Sequence, residues 1–163
     1  MSPDVPQMTI RPYQPNDAAA VARIFTESVR STATRDYSPL QIEAWAPDPP
    51  DVEDWRRRLD SEIAFVAEHE SEVAGFVTYE RDGHMDYLYV GSRFQRQGVA
   101  AALCARVERE AAALGVQRIF AEVSINARPF FESIGFRVIA EQAVEFGGVL
   151  FNNLRMEKFL STP

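Results

Sequence analysis

One cysteine, two histidines and no long apolar run set the first limits on this 163-residue chain. Cys104 alone cannot form an intrachain disulfide, which fits a reducing compartment. No Cys/His cluster suggests a metal. No apolar stretch approaches the ~20 residues needed to cross a bilayer. The N-terminus also lacks the basic start and apolar run of a signal peptide, so a cytoplasmic location is expected. Positive charge is short as well: 17 Lys and Arg face 24 Asp and Glu, for a net charge of −7. That balance argues against a broad nucleic-acid or anionic-membrane footprint. It leaves room for one local basic pocket. The triphosphatase loop Gly-x-x-x-x-Gly-Lys-Ser/Thr is missing too.

What is present describes an ordinary globular chain. An apolar content of 46% over this length suffices for one domain with a real core. That domain is expected over residues 8–160, after a flexible N-terminal lead over residues 1–7 that carries two prolines. No repeat, low-complexity tract or interdomain linker interrupts it.

The patterning predicts an alternation of strands and helices. Thr9 to Pro12 reads as a strand. Asn16 or Asp17 can cap a helix whose apolar positions Val21, Ile24, Phe25 and Val29 recur at helical spacing. Ser38-Pro39-Leu40-Gln41 carries a capping-box pattern and opens a short helix through Trp45. Ala46-Pro47-Asp48-Pro49-Pro50 ends that helix, and another covers Asp51 to Leu59. Ile63 to Glu68, Val73 to Glu80 and Met85 to Val90 read as an antiparallel meander, with Asp82-Gly83 as a tight-hairpin signal. A long helix spans Gln97 to Leu114, terminated by Gly115. Ile119 to Val123 is a strand and Ala127 to Ile134 a short helix. Phe136 to Phe146 and Val149 to Met156 close the chain as a hairpin. The implied fold is α/β: a mixed, mostly antiparallel central sheet of about seven strands with flanking helices. The helical crossover from Met85–Val90 to Ile119–Val123 makes those two strands parallel neighbours. If their C-terminal ends splay, an extended cofactor can enter between them.

The most informative stretch is Gln95-Arg96-Gln97-Gly98-Val99-Ala100. It joins a strand to a helix, and the first turn of a helix carries unpaired N–H groups. The helix dipole adds positive potential, and Gly98 and Ala100 let a ligand approach the backbone. Arg93 and Arg96 lie beside it. A basic, small-residue turn of this kind reads as a pyrophosphate cradle.

With these residues in place the chain resembles the GNAT superfamily of acetyl-CoA-dependent N-acetyltransferases. Gln95-x-x-Gly98-x-Ala100 matches the family's phosphate motif Gln/Arg-x-x-Gly-x-Gly/Ala. Leu88-Tyr89-Val90 matches the end of its fourth strand. Asn126-Ala127, Phe130-Phe131-Glu132 and Gly135-Phe136 match its second cofactor block. The likeness covers about Met8 to Leu160. It implies acetyl-CoA as donor. Main-chain groups at Leu88, Tyr89 and Val90 would hold the pantetheine arm and acetyl carbonyl. Gln95, Arg96, Gln97, Gly98, Val99, Ala100 and Ala101 would hold the pyrophosphate. Asn126 and Phe130 would lie along the cofactor arm. Many family members have Phe-Tyr where this chain has Phe130-Phe131, and that tyrosine is often assigned to protonate the leaving thiolate. Phe131 cannot do so, which leaves a water or Ser124 for the role.

Acyl transfer to an amine needs the nucleophile neutral and close to the thioester. By position the resemblance implies His84 as the base, and a pKa near ~6.5 suits the task. Glu80, Asp86 and Glu122 are alternatives at strand ends. Tyr37 and Trp45 are expected in the acceptor wall, with Glu80 or Asp86 supplying charge for a cationic or aromatic amine. Cys104, inside the long helix, reads as a small buried residue, so direct attack in a ternary complex is expected rather than an acetyl-enzyme. Arg56-Arg57-Arg58 reads as a solvated helix face. The acceptor is expected to be a small-molecule amine or a peptide, and the final hairpin could pair across a homodimer. A non-catalytic acyl-CoA-binding or sensing module is the alternative, suggested by Phe131.

Overall fold

The computed structural model describes residues 8–160, so the expected lead over residues 1–7 lies outside the described residues. The chain runs β1 (Met8–Pro12), α1 (Ala18–Thr32), α2 (Pro39–Trp45), α3 (Val52–Ser61), β2 (Ile63–His69), β3 (Glu72–Tyr79), β4 (Met85–Val90), α4 (Val99–Ala113), β5 (Arg118–Ser124), α5 (Arg128–Ser133), β6 (Arg137–Phe146) and β7 (Val149–Phe159). No helix among the described residues is long and apolar enough to cross a membrane.

The strands form two sheets, four strands in the order β1-β2-β3-β4 and three in the order β5-β7-β6. This corrects the expected single sheet of about seven strands. All pairings within both sheets are antiparallel. A single parallel bridge, His84 with Phe120, joins the β4 side to the β5 side. Beyond it the two strands carry no further pairing, which opens a gap between their C-terminal ends.

Gly83 explains why the sheets meet at that point. A Cβ on Gly83 would lie 2.2 Å from the Arg118 carbonyl oxygen, and its φ is +99°. Only glycine tolerates both the approach and the conformation. The contact lets Phe120 N donate to Gly83 O at 3.1 Å, while Glu80 N donates to His84 O at 2.8 Å and closes the hairpin turn.

Both faces of the four-stranded sheet are covered, because side chains alternate along each strand. From β3, Val77 and Tyr79 pack into a core with Leu103, Val107 and Ala111 of α4. Phe76 packs into a second core with Phe25 and Val29 of α1 and Trp55 and Leu59 of α3. Phe25 and Trp55 lie 4.8 Å apart and Trp55 and Phe76 5.8 Å apart between ring centroids. Burial of Phe76, fully removed from solvent, contributes about 1.5–3 kcal/mol.

Three local details depart from the sequence pattern or refine it. Asp17 does not cap α1 with its side chain; its carboxylate accepts from Gln14 N at 2.8 Å and from Arg11 at 2.8 and 2.9 Å. The box at Ser38 forms as the pattern predicts, with Gln41 N donating to Ser38 Oγ at 3.1 Å and Ser38 N to Gln41 Oε1 at 2.8 Å. Helix α4 starts at Val99 rather than Gln97, because Arg96 and Gly98 both take left-handed conformations, φ +61° and +80°.

A bulge in β4 bears directly on function. Tyr79 pairs with Met85 and Thr78 with Tyr87, which leaves Asp86 out of register. Tyr87 N donates instead to Thr78 Oγ1 at 3.1 Å. Bulges of this kind re-aim a side chain and recur beside active sites.

Candidate active site

The gap between β4 and β5 is a cleft of about 360 Å³. Leu88, Tyr89 and Val90 line one side, Ala121, Val123 and Ser124 the other, and Asn126, Phe130 and Phe131 the end beyond β5. Helix α1 contributes Ser28 and Thr32, which the sequence reading missed. No motif marks them; they reach the cleft because α1 crosses the end of β4. The cleft runs to Gln95 and Ala100, at the start of α4.

That helix start has the properties of an anion seat. No side chain caps it, so its first amides keep their donor capacity. A Cβ at Gly98 would meet nothing within 4 Å, which confirms that the space is open. The basic side chains are less free than expected. Arg93 pairs with Glu72 at 2.9 Å, whereas Arg96 is exposed and makes no ion pair among the described residues. Gln95 and Gln97 turn back to the backbone, donating to Val90 O at 2.9 Å and Arg93 O at 3.2 Å. Val90 O also accepts from Ser28 Oγ at 3.0 Å. The Val90 carbonyl is therefore committed to two side chains. Arg96, Gln97 and Gly98 form the turn and Val99 and Ala101 open α4, and none of the five lines the cleft.

A second cavity, of about 300 Å³, adjoins the first. The two share Trp45, Asp86, Tyr87, Tyr89, Glu122 and Ser124. Tyr37 and Trp45 line the second cavity as expected of an acceptor wall. Tyr37 also ties the site together: its hydroxyl accepts from Ile125 N at 3.1 Å and donates to Asn152 O at 3.0 Å. Phe146, Phe151 and Asn153 from β6 and β7 complete the wall. Arg58 lines it too, which corrects the reading of Arg56-Arg57-Arg58 as a purely solvated face; its Nη1 donates to Tyr87 Oη at 2.8 Å.

The charged groups separate into two sets. His84 lines neither cavity. Its Nε2 donates to Glu122 Oε2 at 2.5 Å and its Nδ1 to Glu80 Oε1 at 3.1 Å. The Glu122 hydrogen bond is the main reason that the imidazole pKa is pushed up to about 9. A ring that is charged at neutral pH, with both nitrogens engaged, has no lone pair for a proton. The expectation that His84 is the base therefore meets a geometric obstacle. Glu80 is drawn to the same ring and lines neither cavity. Glu122 lines both, and the His84 hydrogen bond holds its carboxyl below the usual range.

Glu62, at the end of α3, behaves in the opposite way. Its carboxyl is pushed up to about 7, first by burial and then by Asp86. Carboxylate oxygens of Glu62, Glu80 and Asp86 lie within 4.8 Å of one another. Burial and these neighbouring like charges both favour the neutral form of Glu62. Glu62 sits 24 residues from Asp86, and the pairing of β2, β3 and β4 brings the two to the same end of the sheet. Cys104 is buried in α4, its thiol pushed up to about 12 by burial, and it lines neither cavity.

Comparison with known proteins agrees with this architecture. The family model of the acetyltransferase (GNAT) domain matches residues 33–158. The chain is 36% identical over 147 residues to the Escherichia coli K12 protein described as uncharacterized N-acetyltransferase YafP, covering 90% of this chain and 93% of that one. The crystal structure of a GCN5-related N-acetyltransferase from Rhodopseudomonas palustris superposes with a TM-score of 0.90 at 31% identity, covering 96% of this chain and 98% of that one. At 19% identity, PaiA N-acetyltransferase from Thermoplasma acidophilum in complex with coenzyme A shares the fold, with a TM-score of 0.77 over 94% of this chain and 99% of that one. With the domain model matched over most of its length, the chain belongs to the GNAT family of acetyltransferases.

Proposed function

We propose that this protein transfers an acetyl group from acetyl-CoA to a primary amine by direct attack in a ternary complex. The observation that carries the reading is the junction of the two cavities, where Asp86, Glu122 and Ser124 face both. One cavity ends at an uncapped helix start suited to phosphates, and the other has aromatic walls with carboxylates at one end, suited to an acceptor. Acetyl-CoA fits the first on physical grounds: open backbone amides for the pyrophosphate and a cleft between splayed strands for a thin arm. When bound there it supplies the thioester that the amine attacks.

The chain's own residues then divide the proton work. An alkylamine of pKa near ~10 arrives as an ammonium. Glu122, kept anionic by His84, binds that charge at the junction. Asp86 takes the proton and shares it with Glu62, whose raised pKa suits a base working near neutrality. Carboxyl groups pushed in opposite directions mark distinct roles, one electrostatic and one acid–base. Ser124 lines both cavities and is our candidate to relay a proton from water to the departing thiolate, regaining through the same water the proton it gives, since Phe131 has no hydroxyl. The inert, remote Cys104 supports a route without a cysteine acyl-enzyme.

Thiol release from acetyl-CoA across a panel of amines tests this reading. Amine-dependent release is expected. Tight binding of acetyl-CoA with no release on any amine would favour the second reading, an acyl-CoA-binding module, which Phe131 motivates.

A further inference from the structure

The second cavity says more about the acceptor than the reaction requires. Its walls are aromatic: Tyr37 and Trp45 on one side, Phe151 beside them, Phe25, Tyr87 and Tyr89 across. Ring centroids are 5.3 Å apart for Tyr37 and Trp45 and 4.9 Å for Phe25 and Tyr89, with interplanar angles of 70° and 78°. Such edge-to-face pairs hold a rigid apolar slot. At about 300 Å³ it lies at the small end of ligand sites, enough for one ring and a short chain.

The negative charge of this slot is gathered at one end. Asp86 and Glu122 stand at the end shared with the donor cleft. Asn153 lines the wall, and its Oδ1 is buried without a hydrogen-bond partner among the described residues. The Tyr37 hydroxyl is already engaged as donor and acceptor. The single cation in the lining, Arg58, is engaged as well, by Tyr87 Oη and by Asp54, each at 2.8 Å. A ligand carboxylate thus finds only the engaged Arg58, whereas a ligand ammonium finds Asp86 and, beside it, the His84-paired Glu122, both at one end. A second ammonium further along would meet aromatic rings and no carboxylate, where cation–π attraction repays only part of its lost hydration.

From this arrangement we infer that the acceptor is an arylalkylamine lacking a carboxylate, its ring in the aromatic slot and its ammonium between Asp86 and Glu122. The inference rests on the acetyltransferase reading and narrows it. It separates one class of amine from amino acids, polyamines and peptide N-termini.

The test compares 2-phenylethylamine, phenylalanine, spermidine and an alanine-initiated hexapeptide at saturating acetyl-CoA, by thiol release. A kcat/KM for 2-phenylethylamine at least tenfold above the other three is expected. Phe146→Ala, which changes a half-exposed residue of the slot that does not line the donor cleft, should raise the KM for 2-phenylethylamine several-fold. It should leave the KM for acetyl-CoA unchanged. Equal or faster turnover of any of the other three overturns the arylalkylamine assignment while the acetyltransferase reading survives. An unchanged amine KM in Phe146→Ala overturns the placement of the ring. No release with any of the four, with acetyl-CoA binding intact by calorimetry, overturns both readings.

Discussion

Glu122 Oε2 accepts a hydrogen bond of 2.5 Å from His84 Nε2 across the line where the two sheets touch. The same residue pair thus closes the sheet junction and sets the charge at the junction of the two cavities. His84 is fixed by Glu80 on its other nitrogen, so the imidazolium cannot turn away. In the proposed mechanism it positions Glu122 and keeps it ionised.

This arrangement makes stability depend on pH in a defined direction. The His84 pKa is about 9 in the fold against about 6.5 in an unfolded chain. A raised pKa contributes stability that is fully present below about 6.5 and is lost as the pH climbs through about 9. The unfolding midpoint should therefore fall between those limits. In His84→Gln the fall over this window should be shallower, measured by thermal unfolding at several pH values. Parallel curves for the two proteins would remove the ion pair from the account.

The cradle predicts a separation of binding from folding. Ala100 is the second residue of α4 and lines the donor cleft. Aspartate there complements the helix dipole, a gain of about 0.3–1 kcal/mol, so Ala100→Asp should unfold no earlier than the parent. Its carboxylate would face the pyrophosphate; at ~4 Å and an effective dielectric of ~20, unit charges repel by about 4 kcal/mol. Affinity for CoA should fall by more than about a hundredfold in calorimetry. Undiminished affinity would place the phosphates elsewhere.

Most of the fold and the donor half of the site were legible in the sequence, because both are written in local code. The strand-to-helix turn, the Ser38 box and the Asp82-Gly83 hairpin each depend on a few consecutive residues. The exact start of α4 was not legible, since the pattern does not disclose the left-handed Arg96. The point at which the two sheets meet turns on Gly83 meeting Arg118, 35 residues away. The acceptor half resisted for the same reason. Asp86 and Glu62 become neighbours through the register of three strands, and Phe151 and Asn153 arrive from the last strand. His84 occupied the family's position for a base, but position in a strand carried no information about the two carboxylates that hold it.

Glu62 should show opposite effects on rate and stability. In the fold its carboxyl has a pKa of about 7, against about 4.3 when unfolded. Stability is therefore lost as the pH rises through about 7, because an ionised Glu62 is half-buried beside Asp86. Glu62→Gln removes that cost and should unfold at a higher temperature than the parent at pH 8, with the gap closing near pH 4. The same change removes the proton's destination, so kcat should drop by about 10²-fold. Its pH–rate profile should lose the rise centred near 7. A variant that is both less stable at pH 8 and fully active would overturn the assignment on each count.

Tyr37 supplies the last test, because its hydroxyl links the acceptor wall to the donor cleft. It accepts from Ile125 N, next to Asn126, and donates to Asn152 O on β7. Tyr37→Phe keeps the ring and its packing on Trp45 and Phe151. What it loses is two hydrogen bonds, leaving an amide and a carbonyl to find water. The cost should be about 1–3 kcal/mol, seen as a fall of at least about 2 °C in the unfolding midpoint. If the hydroxyl also holds Asn126 at the cleft, the KM for acetyl-CoA should rise together with that for the amine. A lower midpoint with both KM values unchanged would make Tyr37 a structural tie only, and Asn126 would then be held by the chain around it.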